Sequence, residues 1–273
     1  MDEKEFGKLT GEQVEQFSPF VKTMFEEFDQ LRVELSSNEI SPNRLDEIAS
    51  PWSMWYSLSM VELLSLWAWS FRFDKIIRSI AKKADPQEVA LKFMKAIENG
   101  KVKDRDPRLP FKWKGDADSR DKLILSYGVS LNLALMHNAT AIGLYGLPMY
   151  DLLGQAKSGN REKLLEAIVV DPTVLSSEVG SKILASAALI DDRSFLELIS
   201  KAITKTKPRP PQERIRATRY VLSAIYQSGK SVKATKQSVR ALILDKLGIY
   251  EERDDPDAAL QKLMTRQFKA WRT

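Results

Sequence analysis

The sequence predicts an all-α protein: an irregular helical bundle, partly of helical-repeat character, with a smaller C-terminal basic helical module. Three observations carry that expectation. Helix-start chemistry recurs along the chain, apolar residues fall at spacings of three and four, and proline-marked breaks separate the helical stretches.

Six of the twelve prolines follow Ser or Asp: Ser18-Pro19, Ser41-Pro42, Ser50-Pro51, Asp85-Pro86, Asp171-Pro172 and Asp255-Pro256. A Ser or Asp oxygen can accept from the orphan N–H groups of a new helix. Proline at the first helical position loses no needed donor and arrives with a helical φ. Asp85-Pro86-Gln87-Glu88 adds the glutamate of a capping box.

The first apolar stripe is Val14, Phe17, Val21, Met24, Phe28, Leu31 and Leu35. It fits one helix face, split near Pro19, that packs on its own domain; a coiled-coil seam is the other reading. Next comes Trp52 to Phe71, about twenty residues with a single charge, Glu62. Aromatics at both ends and Arg72, Lys75 and Arg78 beyond it resemble a membrane span. Five serines and Glu62 dilute it, so the expectation is a central helix over 51–84, buried on most faces. Glu62, alone among Trp and Leu, then needs a partner, a serine or Arg72. Trp52, Trp55, Trp67 and Trp69 serve this core, or else line a pocket.

In Leu123 to Leu135 every odd position is apolar, which suits a strand. Leu123, Ile124, Tyr127, Leu131, Ala134 and Leu135 also fit one helix face. A strand of that length lacks a partner, so helix is expected. Lys101 to Ala117 reads as a long charged loop and Lys205 to Pro211 as an extended proline linker. The resulting division is a bundle over 1–204, a linker over 205–211 and a basic module over 212–273, with ten to twelve helices in all.

Ala156 to Leu164 echoes Ala188 to Leu196 at an offset of 32 residues. That offset suits helix-pair repeats; a chance likeness of two capped helix starts also accounts for it. After Pro256, Leu260, Leu263, Met264, Phe268 and Trp271 mark a last amphipathic helix.

Charge is segregated. Lys201 to Tyr250 holds twelve Lys and Arg against two acids, net +10, whereas the whole chain is +5. Such a field attracts polyanions. Pro211 to Ser228 reads as a helix, 229–234 as a polar turn, and Thr235 as the cap of a helix to Leu247 with Gly248 following. This is a loose helix-turn-helix likeness. A solvated basic face without a ligand is the plain alternative. The candidate contacts are Arg216, Lys230, Lys233, Lys236 and Arg240 on phosphate, with Gln237 as a base reader.

Other chemistry is thinner. Gln227 to Ser231 suggests a phosphate loop, yet Ala224 stands where that loop needs glycine. His137 is the single histidine and reads as a helix end, where a cation suits the dipole. No cysteine exists, so no disulfide or thiolate metal site forms. Glu251, Glu252, Asp254, Asp255 and Asp257 could hold Mg²⁺ but read as a solvated acidic cap. No cofactor or resident metal is expected. The acidic N-terminus lacks the pattern of a signal peptide, and a cytoplasmic setting is expected.

The leading expectation is therefore a non-enzymatic nucleic-acid-binding protein, DNA first. A protein-interaction scaffold or homo-oligomer is the second reading and a Mg²⁺-dependent helical enzyme the third.

Overall fold

A computed structural model describes residues 39–40, 53–72, 108–109, 112–204, 211–227, 235–250 and 256–270. The chain is all-α. Among the described residues the helices are α1 (Met60–Ser70), α2 (Ala117–Tyr145), α3 (Met149–Lys157), α4 (Arg161–Val170), α5 (Glu178–Leu189), α6 (Arg193–Thr204), α7 (Glu213–Gln227), α8 (Lys236–Ala241) and α9 (Pro256–Ala270). Short 3-10 helices span Ser53–Ser57 and Pro172–Ser176, and a π-turn, Leu242–Lys246, continues α8. The extended pieces, β1 (Glu39–Ile40) and β2 (Lys112–Trp113), are two residues each.

Contacts sort the chain into two units interleaved in sequence. One joins Glu39–Leu63 to Trp113–Ser223; the other includes Leu64–Lys112 and Ala224–Thr273. Neither is bounded by the 205–211 linker, of which 205–210 lie outside the described residues. So do the apolar stripe of Val14 to Leu35 and the proline starts at 19, 42, 51 and 86.

The expected single helix over 51–84 does not form. Ser53–Ser57 is a 3-10 turn, and α1 begins only at Met60. The break has a local cause. Ser59 and Glu62 make a reciprocal cap: the Ser59 N–H donates to Glu62 Oε2 at 2.7 Å, and the Glu62 N–H donates to Ser59 Oγ at 3.3 Å. The helix then stops after Ser70, with Arg72 at φ 65°. Val61, Leu63, Ser65, Leu66, Ala68 and Ser70 are buried, so α1 is enclosed on most faces. No helix of the described residues is long and apolar enough to cross a membrane.

α2 is the longest helix, 29 residues. Asp116 caps it, accepting from the Ser119 N–H at 2.8 Å. Gly146 ends it at φ 82°, in the left-handed region that glycine enters without a Cβ clash. The ambiguous 123–135 segment lies inside it. Leu123, Ile124, Tyr127, Leu131 and Ala134 are buried, whereas Leu125 is 69% exposed and Val129 49%. The 3.6-residue period decides which apolar residues face inward, not the alternation.

The 32-residue echo is structural. α3–α4 and α5–α6 are two helix pairs, and the landmarks of the turn inside each pair coincide at that offset. Lys157 and Leu189 close the first helix of each pair, and Arg161 and Arg193 open the second. Gly159 and Asp191 both take positive φ, 99° and 52°. Asn160 and Asp192 both accept from a backbone N–H three residues on, that of Lys163 and that of Phe195. α3 packs on α4 and α5, and α4 and α5 each pack on α6, so the pairs stack side by side. Arg161 of the first pair bonds Asp192 at 2.5 Å and lies 4.6 Å over the Phe195 ring. Leu164, Ala167 and Ile168 of α4 are fully buried. At about 25 cal/mol per Å², burying one such leucine contributes about 2 kcal/mol.

Of the two proline starts that can be seen, Pro256 opens α9. Asp171-Pro172 opens a 3-10 turn instead of an α-helix. The next helix, α5, takes its own cap from Ser177, whose Oγ accepts from the Gly180 N–H at 3.2 Å.

Candidate nucleic-acid interface

The sequence-predicted contact residues are divided between the two units. Arg216 sits on the part of α7 that belongs to the unit of Trp113–Ser223, whereas Lys236, Gln237 and Arg240 sit on α8, in the unit of Ala224–Thr273. Lys230 and Lys233 lie outside the described residues, as does most of the phosphate-loop lookalike at 227–231. Ala224 is helical, within α7.

Arg219 of α7 is engaged within the protein. Arg219 Nη1 donates to the carbonyls of Gly143 at 2.7 Å and Leu144 at 2.5 Å. These are unpaired acceptors of the last turn of α2, so a cation there satisfies both hydrogen bonding and the helix dipole. Tyr220 donates to the Ala139 carbonyl at 3.0 Å. Arg216 is half-buried with its stem against Gly143, and its Nε is buried without a hydrogen-bond partner.

α8 presents a different surface. Thr235 caps it as expected: Thr235 Oγ1 accepts from the Ser238 N–H, and the Thr235 N–H donates to Ser238 Oγ, both at 3.1 Å. Val239 and Ile243 are buried, while Lys236, Gln237 and Arg240 are exposed. After the π-turn, Gly248 takes φ 57°, and the Ile249 N–H reaches back to the Ile243 carbonyl at 3.1 Å. The element therefore runs from Thr235 to Gly248 as its end residues imply. Asp245 is the single acid between 235 and 250.

α9 supports α8. Leu260 and Met264 are buried, as the apolar pattern requires; the side chains of Phe268 and Trp271 lie outside the described residues. Lys236 Nζ donates to Thr265 Oγ1 at 3.3 Å. Lys262 and Arg266 are exposed, and the tally of basic residues ending at Tyr250 does not include them. Their signal was the i, i+4 spacing of two cations opposite Leu260 and Met264.

A second cluster lies in the unit of Trp113–Ser223. His137 does not end a helix: α2 continues to Tyr145, because nothing breaks it before Gly146. The imidazole sits mid-helix, its Nδ1 2.5 Å from the Tyr56 hydroxyl and 3.5 Å from Asp171 Oδ2. Tyr56 donates to Asp171 Oδ2 at 2.5 Å. Asp171, 4% exposed, also accepts from the Thr173 N–H at 2.9 Å and Thr173 Oγ1 at 2.7 Å. Burial, and then the hydrogen bond to Asp171, push the Tyr56 phenol up, which keeps it a neutral donor. With the Tyr56 O–H pointing at Asp171, the hydroxyl oxygen is left to accept from an Nδ1–H of His137. The cluster thus ties two 3-10 helices to α2.

Trp55, Trp67 and Trp69 each make aromatic contacts. Trp55 is buried, donates from Nε1 to Ser130 Oγ at 3.0 Å and meets Tyr127 edge-on at 5.6 Å. Trp67 stacks obliquely on Phe71, and Arg108 lies over Trp69 at 5.6 Å. Trp52 lies outside the described residues, as do Glu251, Glu252, Asp254 and Asp255. Among the described residues no three His, Cys, Asp or Glu side chains come together to hold a metal.

No protein-family profile, curated protein or solved structure matches the chain.

Proposed function

We propose that the chain binds nucleic acid, DNA in the first instance, without catalysing a reaction, and that α8 is the contacting element. The observation that carries this reading is the exposed basic face of a well-capped helix: Lys236, Gln237 and Arg240 point to solvent from a segment of net +10. Lys236 and Arg240 contact phosphate, and Gln237 reaches a base edge. A cytoplasmic setting belongs to the same reading. The test is a duplex titration at low salt. The double variant Lys236→Glu with Arg240→Glu is expected to weaken binding roughly tenfold or more. Absence of binding by the native chain, or identical binding by the variant, sinks the proposal.

A second reading, an interaction scaffold, is supported by the stacked helix pairs. The pair α5–α6 exposes Leu189 at 86%, Ile190 at 68% and Leu198 at 47%. Its test is mass by light scattering for native chain and Leu189→Lys with Ile190→Lys. A monomer in both cases removes the homo-oligomer form of this reading.

A further inference from the structure

We infer that the phosphate-binding surface is a two-helix face, with α9 supplying Lys262 and Arg266 beside Lys236 and Arg240 of α8, and that its partner is a duplex. The inference rests on the reading that α8 contacts nucleic acid.

The two helices are joined at their polar flanks. Lys236 reaches Thr265 at 3.3 Å, so the basic flank of α8 borders the flank of α9 that carries Thr265. Lys262 lies one turn before Thr265 on that side, and Arg266 follows it directly. Leu260 and Met264 turn into the core, and a residue two positions further on lies about 200° around the helix. Lys262 and Arg266 therefore stand at the solvent crest of α9. Within each pair, Lys236 with Arg240 and Lys262 with Arg266, the i, i+4 spacing sets the cations about 6 Å apart along the axis.

Three of the four cations of this face are not neutralised from within. Among the described residues, Lys236, Lys262 and Arg266 belong to no ion pair, whereas acids pair with Arg161, Lys163, Lys182 and Arg193 elsewhere in the chain. Exposed like charges gathered on two adjoining helices repel one another, and a polyanion relieves that repulsion while releasing its counterions.

The chemistry of the face selects the form of nucleic acid. Single strands are held by stacking bases on aromatic side chains. The exposed described residues of α8 and α9 are Lys, Arg, Gln, Ser, Thr and Ala, with no aromatic among them. Such a face offers contacts to phosphate oxygens and groove edges, which a duplex presents and which need no unstacked base.

The experiment is fluorescence anisotropy with a short labelled duplex and with one of its strands alone, from about 50 mM to about 200 mM salt. Native chain, Lys262→Gln with Arg266→Gln, and Lys236→Gln with Arg240→Gln are compared, their folding checked by circular dichroism. The expected result is tighter binding of duplex than of strand. The slope of log affinity against log salt is expected to shrink by about 2 in each double variant. An unchanged slope for the α9 variant beside a reduced slope for the α8 variant overturns the two-helix face and leaves the α8 reading standing. Equal or tighter binding of the strand overturns the duplex assignment. Failure of the native chain to bind either removes the α8 reading itself, and this inference with it.

Discussion

Tyr56 donates its phenolic proton to the buried carboxylate of Asp171 across 115 residues of chain, at 2.5 Å. Asp171 is buried, and Tyr56, the Thr173 N–H and the Thr173 hydroxyl all donate to it. Removing one donor leaves a buried charge less satisfied, and hydrogen bonds to charged groups contribute about 1.5–3 kcal/mol. Tyr56→Phe is expected to lower unfolding stability by that amount in urea titration. A change below about 0.5 kcal/mol would show that this bond does not hold the two 3-10 helices to α2.

Gly180 lies close against the backbone of the 172–176 turn. A Cβ there would stand 2.1 Å from the Val174 carbonyl oxygen and 2.9 Å from Leu175 Cα, both backbone atoms that cannot swing aside. Helix propensity alone favours alanine over glycine by about 1 kcal/mol. The clash outweighs it: Gly180→Ala is expected to destabilise by about 1–3 kcal/mol, read from the shift of the thermal midpoint. A stabilised variant would mean that α5 does not seat on the 172–176 turn as described.

Asn138 is buried in α2 and serves two helices. Its Nδ2 donates to the Ala134 carbonyl at 2.8 Å, and its Oδ1 accepts from the Met149 N–H, the first of α3, at 2.9 Å. Pro148, the residue before α3, offers no side-chain cap. Asn138→Leu therefore strands a buried N–H and is expected to cost about 1–3 kcal/mol. Hydrogen exchange at Met149 is the specific readout, with loss of protection expected there and retention contradicting the role.

Asp192 links the stacked helix pairs. The Arg161 guanidinium, then Ser194 and the Phe195 N–H, hold its carboxyl below the ordinary value of 3.8. A depressed folded value means that the stabilisation is present above pH 3.8 and lost as pH falls through the lower folded value. Asparagine keeps the cap and removes the charge. The native chain is thus expected to exceed Asp192→Asn in stability near neutrality, with the gap closing in acid below that value. A gap independent of pH would place the difference in packing instead of charge.

Much of the fold was legible because it is written in local chemistry. Thr235 and Gly248 bound their helix from sequence, and the apolar spacing of 123–135 chose helix once length was weighed. The capping box of Ser59 and Glu62 was equally legible as Ser-x-x-Glu, and reading it would have divided the 51–84 segment. The turn equivalence of Gly159 and Asp191 was less visible, since one position holds glycine and the other an aspartate that tolerates left-handed φ. What the sequence could not display were partners distant along the chain. Arg219 counts as a nucleic-acid cation in a charge tally, yet it caps α2 75 residues away. His137 reads as a helix end only while Tyr56 and Asp171 are out of view. Charge summed along a segment is therefore a poor guide until each cation is placed on a face.

The most direct test of the proposed interface is a map of amide chemical shifts as a short duplex is added to isotope-labelled protein. The account predicts that the largest shifts fall on 235–247 and 261–266, saturating together. Shifts centred on α7 around Arg216, or none at low salt, would contradict it.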